Sequence, residues 1–103
     1  MQLEKEIQLA ICRYLKLKGH FFHRMNNVGV FDKERNAFRF NHYGIKGVPD
    51  IYVYVKGKII ALEVKRPDTQ QSPEQKLFEQ VFKQAGGEYY VVRSLDDVMK
   101  IGL

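Results

Sequence analysis

Two β-rich runs separated by Lys56-Gly57 constrain this chain more than any other stretch. Ile51 to Val55 and Lys58 to Glu63 are dominated by β-branched, aromatic and aliphatic residues, and the Gly-containing pair between them is a hairpin signal. If Lys56 and Gly57 form a two-residue loop, Val55 faces Lys58, and counting back along the ladder sets Asp50 opposite Glu63. Opposed side chains lie about 4.5–5.5 Å apart at Cβ, where two like charges repel unless a cation stands between them. A divalent metal would supply that charge. Alternation adds Lys65 to the face of Glu63 and turns Ile60, Leu62 and Val64 to the other. A plainer alternative stays open, in which Asp50 ends a loop and Glu63 and Lys65 make an ordinary ion pair on a half-exposed strand. Against it, Tyr52, Tyr54, Ile59 and Ala61 share the charged face, so both faces of the hairpin are expected to be covered, and buried charges need partners or metals.

A chain of 103 residues supports one core, so residues 1–103 are expected to form one domain. The 45% hydrophobic and 28% charged content excludes a disordered chain, and no apolar run is long enough to span a bilayer, which excludes a helical membrane protein. The charged N-terminus has no apolar signal region, so a cytoplasmic protein of a bacterial or phage-infected cell is expected. Cys12 has no cysteine or histidine partner at ligand spacing, which leaves it a structural residue rather than a zinc ligand. The net charge of +5 favours an anionic partner.

Leu3, Ile7, Ala10, Ile11, Tyr14 and Leu15 recur at helical spacing, predicting an amphipathic helix over 3–18 closed by Gly19. With Ile7 at zero, Glu4 falls at about +60°, inside the apolar arc, whereas Glu6 falls at about −100°, outside it. Glu4 is therefore the odd residue, although an acidic first turn also complements the helix dipole. His20 to Asn26 reads as a strand, and Asn27 to Tyr43 as a second hairpin with its turn at Lys33 to Asn36. The segment carries Arg24, Asn26, Lys33, Arg35, Arg39 and Lys46 among Phe31, Phe38, Phe40 and Tyr43. Such a mixture suits phosphate contacts and base stacking, and it equally suits phenylalanines in a core with arginines solvated outside. His20, His23 and His42 show no ligand spacing and are expected in structural or surface roles.

Ser72-Pro73-Glu74-Gln75 supplies an N-cap, an N1 proline and a capping-box glutamine. The helix it opens has Leu77, Phe78, Val81, Phe82 and Ala85 as its expected buried stripe and ends at Gly86-Gly87. Gln75 shares a face with Phe78 and Phe82, which would turn it toward the sheet and the metal site, although a polar residue in a first turn is usually just exposed. Glu88 to Arg93 reads as a buried strand, and Ser94 caps a short helix, Leu95 to Ile101. This order of elements implies an α/β or α+β domain with a mixed central sheet flanked by helices, the strand at Tyr89 being parallel to its neighbour through the crossover helix.

Gly47-x-Pro49-Asp50, twelve residues, then Glu63-Val64-Lys65 resembles the PD-(D/E)XK nuclease signature. Glu4 to Gln8, Arg24-Met25-Asn26, the Gln75 helix and Tyr90 to Ser94 make the chain similar, over nearly its whole length, to stand-alone, phage-type VRR-NUC domains. The resemblance implies a restriction-endonuclease-like α/β fold and a Mg²⁺- or Mn²⁺-dependent endonuclease. That enzyme would cut DNA, branched or duplex, to 5′-phosphate and 3′-hydroxyl ends, and resolve four-way junctions as a homodimer. It further implies Glu4, Asp50, Glu63 and the Val64 carbonyl as metal ligands, and Lys65 as the catalytic lysine with Asp50 and Glu63. Gln75 is implied to support Lys65 or touch a phosphate. Arg24, Asn26, Lys33, Arg35, Arg39 and Lys46 are the expected nucleic-acid contacts. The rival from another class is a module of the same fold that binds nucleic acid without cutting it.

Overall fold

In the computed structural model, residues 3–25, 30–32, 37–39 and 44–103 are described, with the main chain alone for 30–32 and 37–39. The elements are α1 (Glu4–Leu17), β1 (Phe21–Arg24), β2 (Val30–Asp32), β3 (Ala37–Arg39), β4 (Ile51–Val55), β5 (Lys58–Val64), α2 (Pro73–Gln84), β6 (Glu88–Val92) and α3 (Leu95–Ile101). Four strands form one sheet in the order β1-β4-β5-β6, and β2 pairs with β3 as a separate antiparallel hairpin in which Phe31 faces Phe38. The turn expected at Lys33 to Asn36 lies outside the described residues.

The β4–β5 hairpin has the register its sequence predicts, from Val55 opposite Lys58 to Ile51 opposite Leu62. Its two-residue turn places Lys56 at φ 48° and Gly57 at φ 82°. Two consecutive left-handed residues make a type I′ turn, whose twist matches that of the strands it joins, and the glycine takes the second position at no steric cost. β6 runs parallel to β5 with Ala61 opposite Tyr89 and Val64 opposite Val92, as a crossover through α2 requires.

The two sheet faces are covered unequally. On one face Ile7, Ile11 and Leu15 of α1 and Val98 of α3 pack with Ile51, Val53, Ile60, Leu62, Val64 and Val92 into the buried core. On the other, α2 touches the sheet through Phe78 and Phe82, whose rings meet Tyr52 and Tyr89 at centroid distances of 6.1–6.5 Å. Two expectations change as a result. No residue of α2 is buried, and Leu77 and Val81, expected in its buried stripe, are 61% and 55% exposed. The second face of the hairpin is likewise only partly covered, with Ile59 exposed and Tyr52 and Tyr54 half-buried. Among the described residues, one helix resting on its two phenylalanines covers β5 and β6 and reaches β4 at Tyr52.

Candidate metal-binding and catalytic site

The site lies where β5 ends and β4 begins. Asp50 immediately precedes β4, and main-chain bonds hold it from both sides: its amide donates to the Leu62 carbonyl (3.1 Å) and its carbonyl accepts from the Met25 amide (2.8 Å). The bond to Leu62 is one residue off the ladder register, so the chain bends at Asp50. The bend lets Asp50 Oδ2 accept the Val64 amide at 2.7 Å, a bond that a regular ladder would give to a main-chain carbonyl. In an extended strand the amide and carbonyl of one residue point the same way, so the Val64 carbonyl projects toward Asp50 as well.

Glu63 is the one buried charged residue among those described, at 2% exposure. Its Oε1 accepts from Gln75 Nε2 and lies 4.0 Å from Lys65 Nζ. Its Oε2 is buried with no hydrogen-bond partner among the described residues. Burial, and then the neighbouring Asp50 charge, raise the Glu63 carboxyl to about 8, with Lys65 opposing and Glu4 adding to the rise. Burial also raises Asp50, more than the bond from the Val64 amide lowers it, and Glu4 again contributes upward. Two ionised carboxylates cannot donate to one another, so this pair is satisfied by a shared proton or by a cation.

The donor set fits a hard divalent cation. Asp50, the orphaned Oε2 of Glu63 and the Val64 carbonyl are all oxygen donors, the kind that Mg²⁺ and Mn²⁺ prefer. Glu4, half-buried in the first turn of α1, stands near enough for its charge to act on both acids. It does not close a cage with them: among the described residues no three His, Cys, Asp or Glu side chains are gathered closely enough to hold a metal ion.

Gln75 is fixed by the α2 cap. Its amide donates to Ser72 Oγ (3.1 Å) and its Oε1 accepts the Ser72 amide (2.8 Å), a complete capping box. With the oxygen so engaged, Nε2 is turned to Glu63. The glycine of the Gly-x-Pro-Asp stretch has its reason here too. Gly47 has φ 77°, and a Cβ on it would collide with the Glu74 carbonyl and stand 2.7 Å from the Gln75 amide nitrogen, so the loop entering Asp50 rests on the first turn of α2.

Sequence reading left Arg93 without a role. Its guanidinium donates to the carbonyls of Arg66 (2.6 Å) and Thr69 (2.7 Å), tying down the segment between Lys65 and the α2 cap. These contacts span more than twenty positions, and no local pattern announces them. Of the expected nucleic-acid contacts, Lys46 is exposed in the loop before Asp50. Arg24 is exposed on β1, where its Nε donates to Gln8 Oε1 (2.9 Å), one helical turn beyond Glu4. Asn26, Lys33, Arg35 and the Arg39 side chain lie outside the described residues. Cys12 is half-buried against the core with its thiol raised by burial, in keeping with a structural role.

No protein-family model matches the chain, and no curated protein matches it. A solved structure described as a VRR_NUC domain matches with a TM-score of 0.70 at 23% identity, over 95% of this chain and 91% of its own. Among the described residues no helix is long and apolar enough to cross a membrane. The chain thus has, over nearly its whole length, the restriction-endonuclease-like α/β fold of a VRR_NUC domain.

Proposed function

We propose that this chain is a Mg²⁺- or Mn²⁺-dependent endonuclease that hydrolyses DNA phosphodiester bonds, acts on branched DNA such as four-way junctions, and works as a homodimer. The observation that carries the reading is Glu63: a buried carboxylate with one unpartnered oxygen, set beside Asp50 and flanked by Lys65 and Gln75. Ionised, an acid in that setting raises the free energy of the fold unless a bound cation offsets its charge. The neighbour's description as a VRR_NUC domain supports a nuclease, while the junction preference and the dimer follow from the family resemblance alone.

Asp50, Glu63 and the Val64 carbonyl would hold the metal, with Glu4 adding negative charge. Bound there, a divalent cation supplies Lewis-acid chemistry, offsetting phosphate charge and acidifying a water. The ammonium of Lys65, 13% exposed, provides a compact positive charge beside the phosphate undergoing attack. Gln75 holds Glu63 in one rotamer so that its free oxygen stays directed into the site. Arg24 and Lys46 contribute phosphate contacts, together with Asn26, Lys33, Arg35 and Arg39. In purified protein, Glu63→Ala and Lys65→Ala are each expected to abolish metal-dependent cleavage, and retained cleavage in either would sink the assignment. Assays on junction, flap, duplex and single-stranded DNA, run beside sedimentation, test the substrate and the dimer.

A second reading rests on Glu4, which does not close a three-acid cluster. It makes the domain a nucleic-acid binder without cleavage. Metal titration separates the two: the nuclease binds Mn²⁺ with an affinity that Asp50→Asn reduces, and the plain binder does not.

A further inference from the structure

Beyond Tyr52 no described helix covers the sheet face onto which Glu63 projects, and among the described residues what stands on it is largely aromatic. Tyr52 and Tyr54 share one face of β4, the face onto which Ala61 and Glu63 of β5 also project, and the β1 register sets His23 beside Tyr52 and Phe21 beside Tyr54. The His23 ring stacks on Tyr52 (5.3 Å, 23°) and on Tyr54 (5.6 Å, 20°), and its Nε2 lies 2.8 Å from the Tyr54 hydroxyl. Phe21 follows at 5.3 Å from Tyr54 and is 70% exposed. The α2 helix reaches this row only at its first member, through Phe82 against Tyr52. A continuous strip of rings therefore runs from the edge of the carboxylate site to a free phenylalanine at the sheet margin.

We propose that this strip is a stacking platform for unpaired nucleobases of the strand whose phosphodiester lies at the Asp50–Glu63 site; the proposal rests on the nuclease reading. Three observations favour bases over a protein partner. The strip is continuous with the proposed phosphodiester site. Tyr52, His23 and Tyr54 are flat rings already arranged in a stack, and Phe21, tilted at 41° to Tyr54, ends it with an exposed ring on which any base can be added. The strands that carry it, β1 (Phe21–Arg24) and β4 (Ile51–Val55), contain Arg24 and no aspartate or glutamate, and Lys56 and Lys58 stand in the turn and at the start of β5, so nothing on those two strands repels a phosphate backbone. A paired duplex keeps its bases stacked inside the helix and leaves the platform unused. The strip thus distinguishes DNA with a single-stranded stretch next to the cut, as at flaps, overhangs and opened junction centres, from continuous duplex.

The test measures binding of the full chain in chelator, where no cleavage occurs. The probes are a fluorescent duplex with a thymidine tail of about twelve nucleotides, the same duplex with an abasic tail, and a blunt duplex. Wild-type protein is expected to bind the thymidine-tailed probe about tenfold more tightly than the abasic-tailed one. Phe21→Ala and Phe21→Leu should lose that advantage, Phe21→Trp should keep it, and all should bind blunt duplex as wild type does. The abasic probe needs no variant, so the outcome does not depend on how a variant folds. Equal binding of the two tailed probes by wild type would overturn the proposal. Full recovery in Phe21→Leu would also overturn it, since leucine restores apolar area without a ring face. So would a drop in sedimentation coefficient in Phe21→Ala with no tail-specific loss, which would make the strip a contact between two copies of the chain. Failure of the nuclease reading shows separately, as metal-dependent cleavage that survives Glu63→Gln.

Discussion

At the scale of single residues, the chemistry turns on where the Glu63 proton goes. With its carboxyl raised to about 8 from an ordinary 4.5, the metal-free folded protein holds a proton there that the unfolded chain has already released at neutral pH. The folded state binds more protons across that window, so stability falls as pH climbs from about 4.5 to about 8 and is lowest above it. Glu63→Gln keeps the shape and removes the ionisation. In chelator it is expected to be more stable than wild type by roughly 2–4 kcal/mol at pH 9, and nearly equal to it at pH 4.5. Urea unfolding at the two pH values checks this. The same variant should have no metal-dependent cleavage, a gain in stability obtained by loss of the site. Wild-type metal affinity should in turn fall about tenfold for each unit that pH drops below 8, because the ion must displace that proton; calorimetric titration of Mn²⁺ between pH 6 and pH 9 reads it.

At the scale of elements, α2 serves two purposes through one side chain, closing its own first turn with the Gln75 oxygen and steadying Glu63 with the nitrogen. Gln75→Glu separates them. Glutamate still accepts the Ser72 amide, so the helix cap survives, but it sets an acceptor against Glu63 where a donor stood. Cleavage is expected to fall about 10- to 100-fold with little change in the unfolding midpoint at pH 5.5; if the midpoint fell and cleavage did not, Gln75 would be a cap and nothing more. This cap was legible beforehand because Ser-Pro-Glu-Gln is a local signal. The hairpin register was legible for the same reason, since Lys56-Gly57 fixes the turn and period-two alternation fixes the faces. Leu77 and Val81 were not. Periodicity tells which residues share a side of a helix, not whether a neighbour covers that side. Glu4 shows the same limit: the helical wheel singles it out, but no wheel carries the distance from α1 to Asp50. Gly47 could be placed in a motif by sequence, while its reason, the first turn of α2 pressed against it, exists only in three dimensions.

At the scale of the whole molecule, the net charge of +5 coexists with the Asp50–Glu63 pair and the more distant Glu4, acids that repel the phosphate they are proposed to serve. The basic residues must therefore overcome that repulsion at a distance. Binding to duplex in chelator is expected to weaken at least tenfold between 50 and 200 mM salt, since each neutralised phosphate releases counterions. Adding Mn²⁺ should make binding tighter at fixed ionic strength. Fluorescence anisotropy measures both, and a response flat in salt would instead favour a structural protein whose acids and Lys65 are only an ion-pair network. The bond between Val64 and Asp50 also has a use in spectroscopy. The Val64 amide donates to the Asp50 carboxylate with nitrogen and oxygen 2.7 Å apart, so the amide proton's chemical shift registers the charge on that carboxylate. During a Mg²⁺ titration followed by nitrogen–proton NMR, the Val64 resonance should be among the first to move, while that of buried Val98 in α3 stays still. The molecule carries its own reporter of occupancy, readable without any substrate.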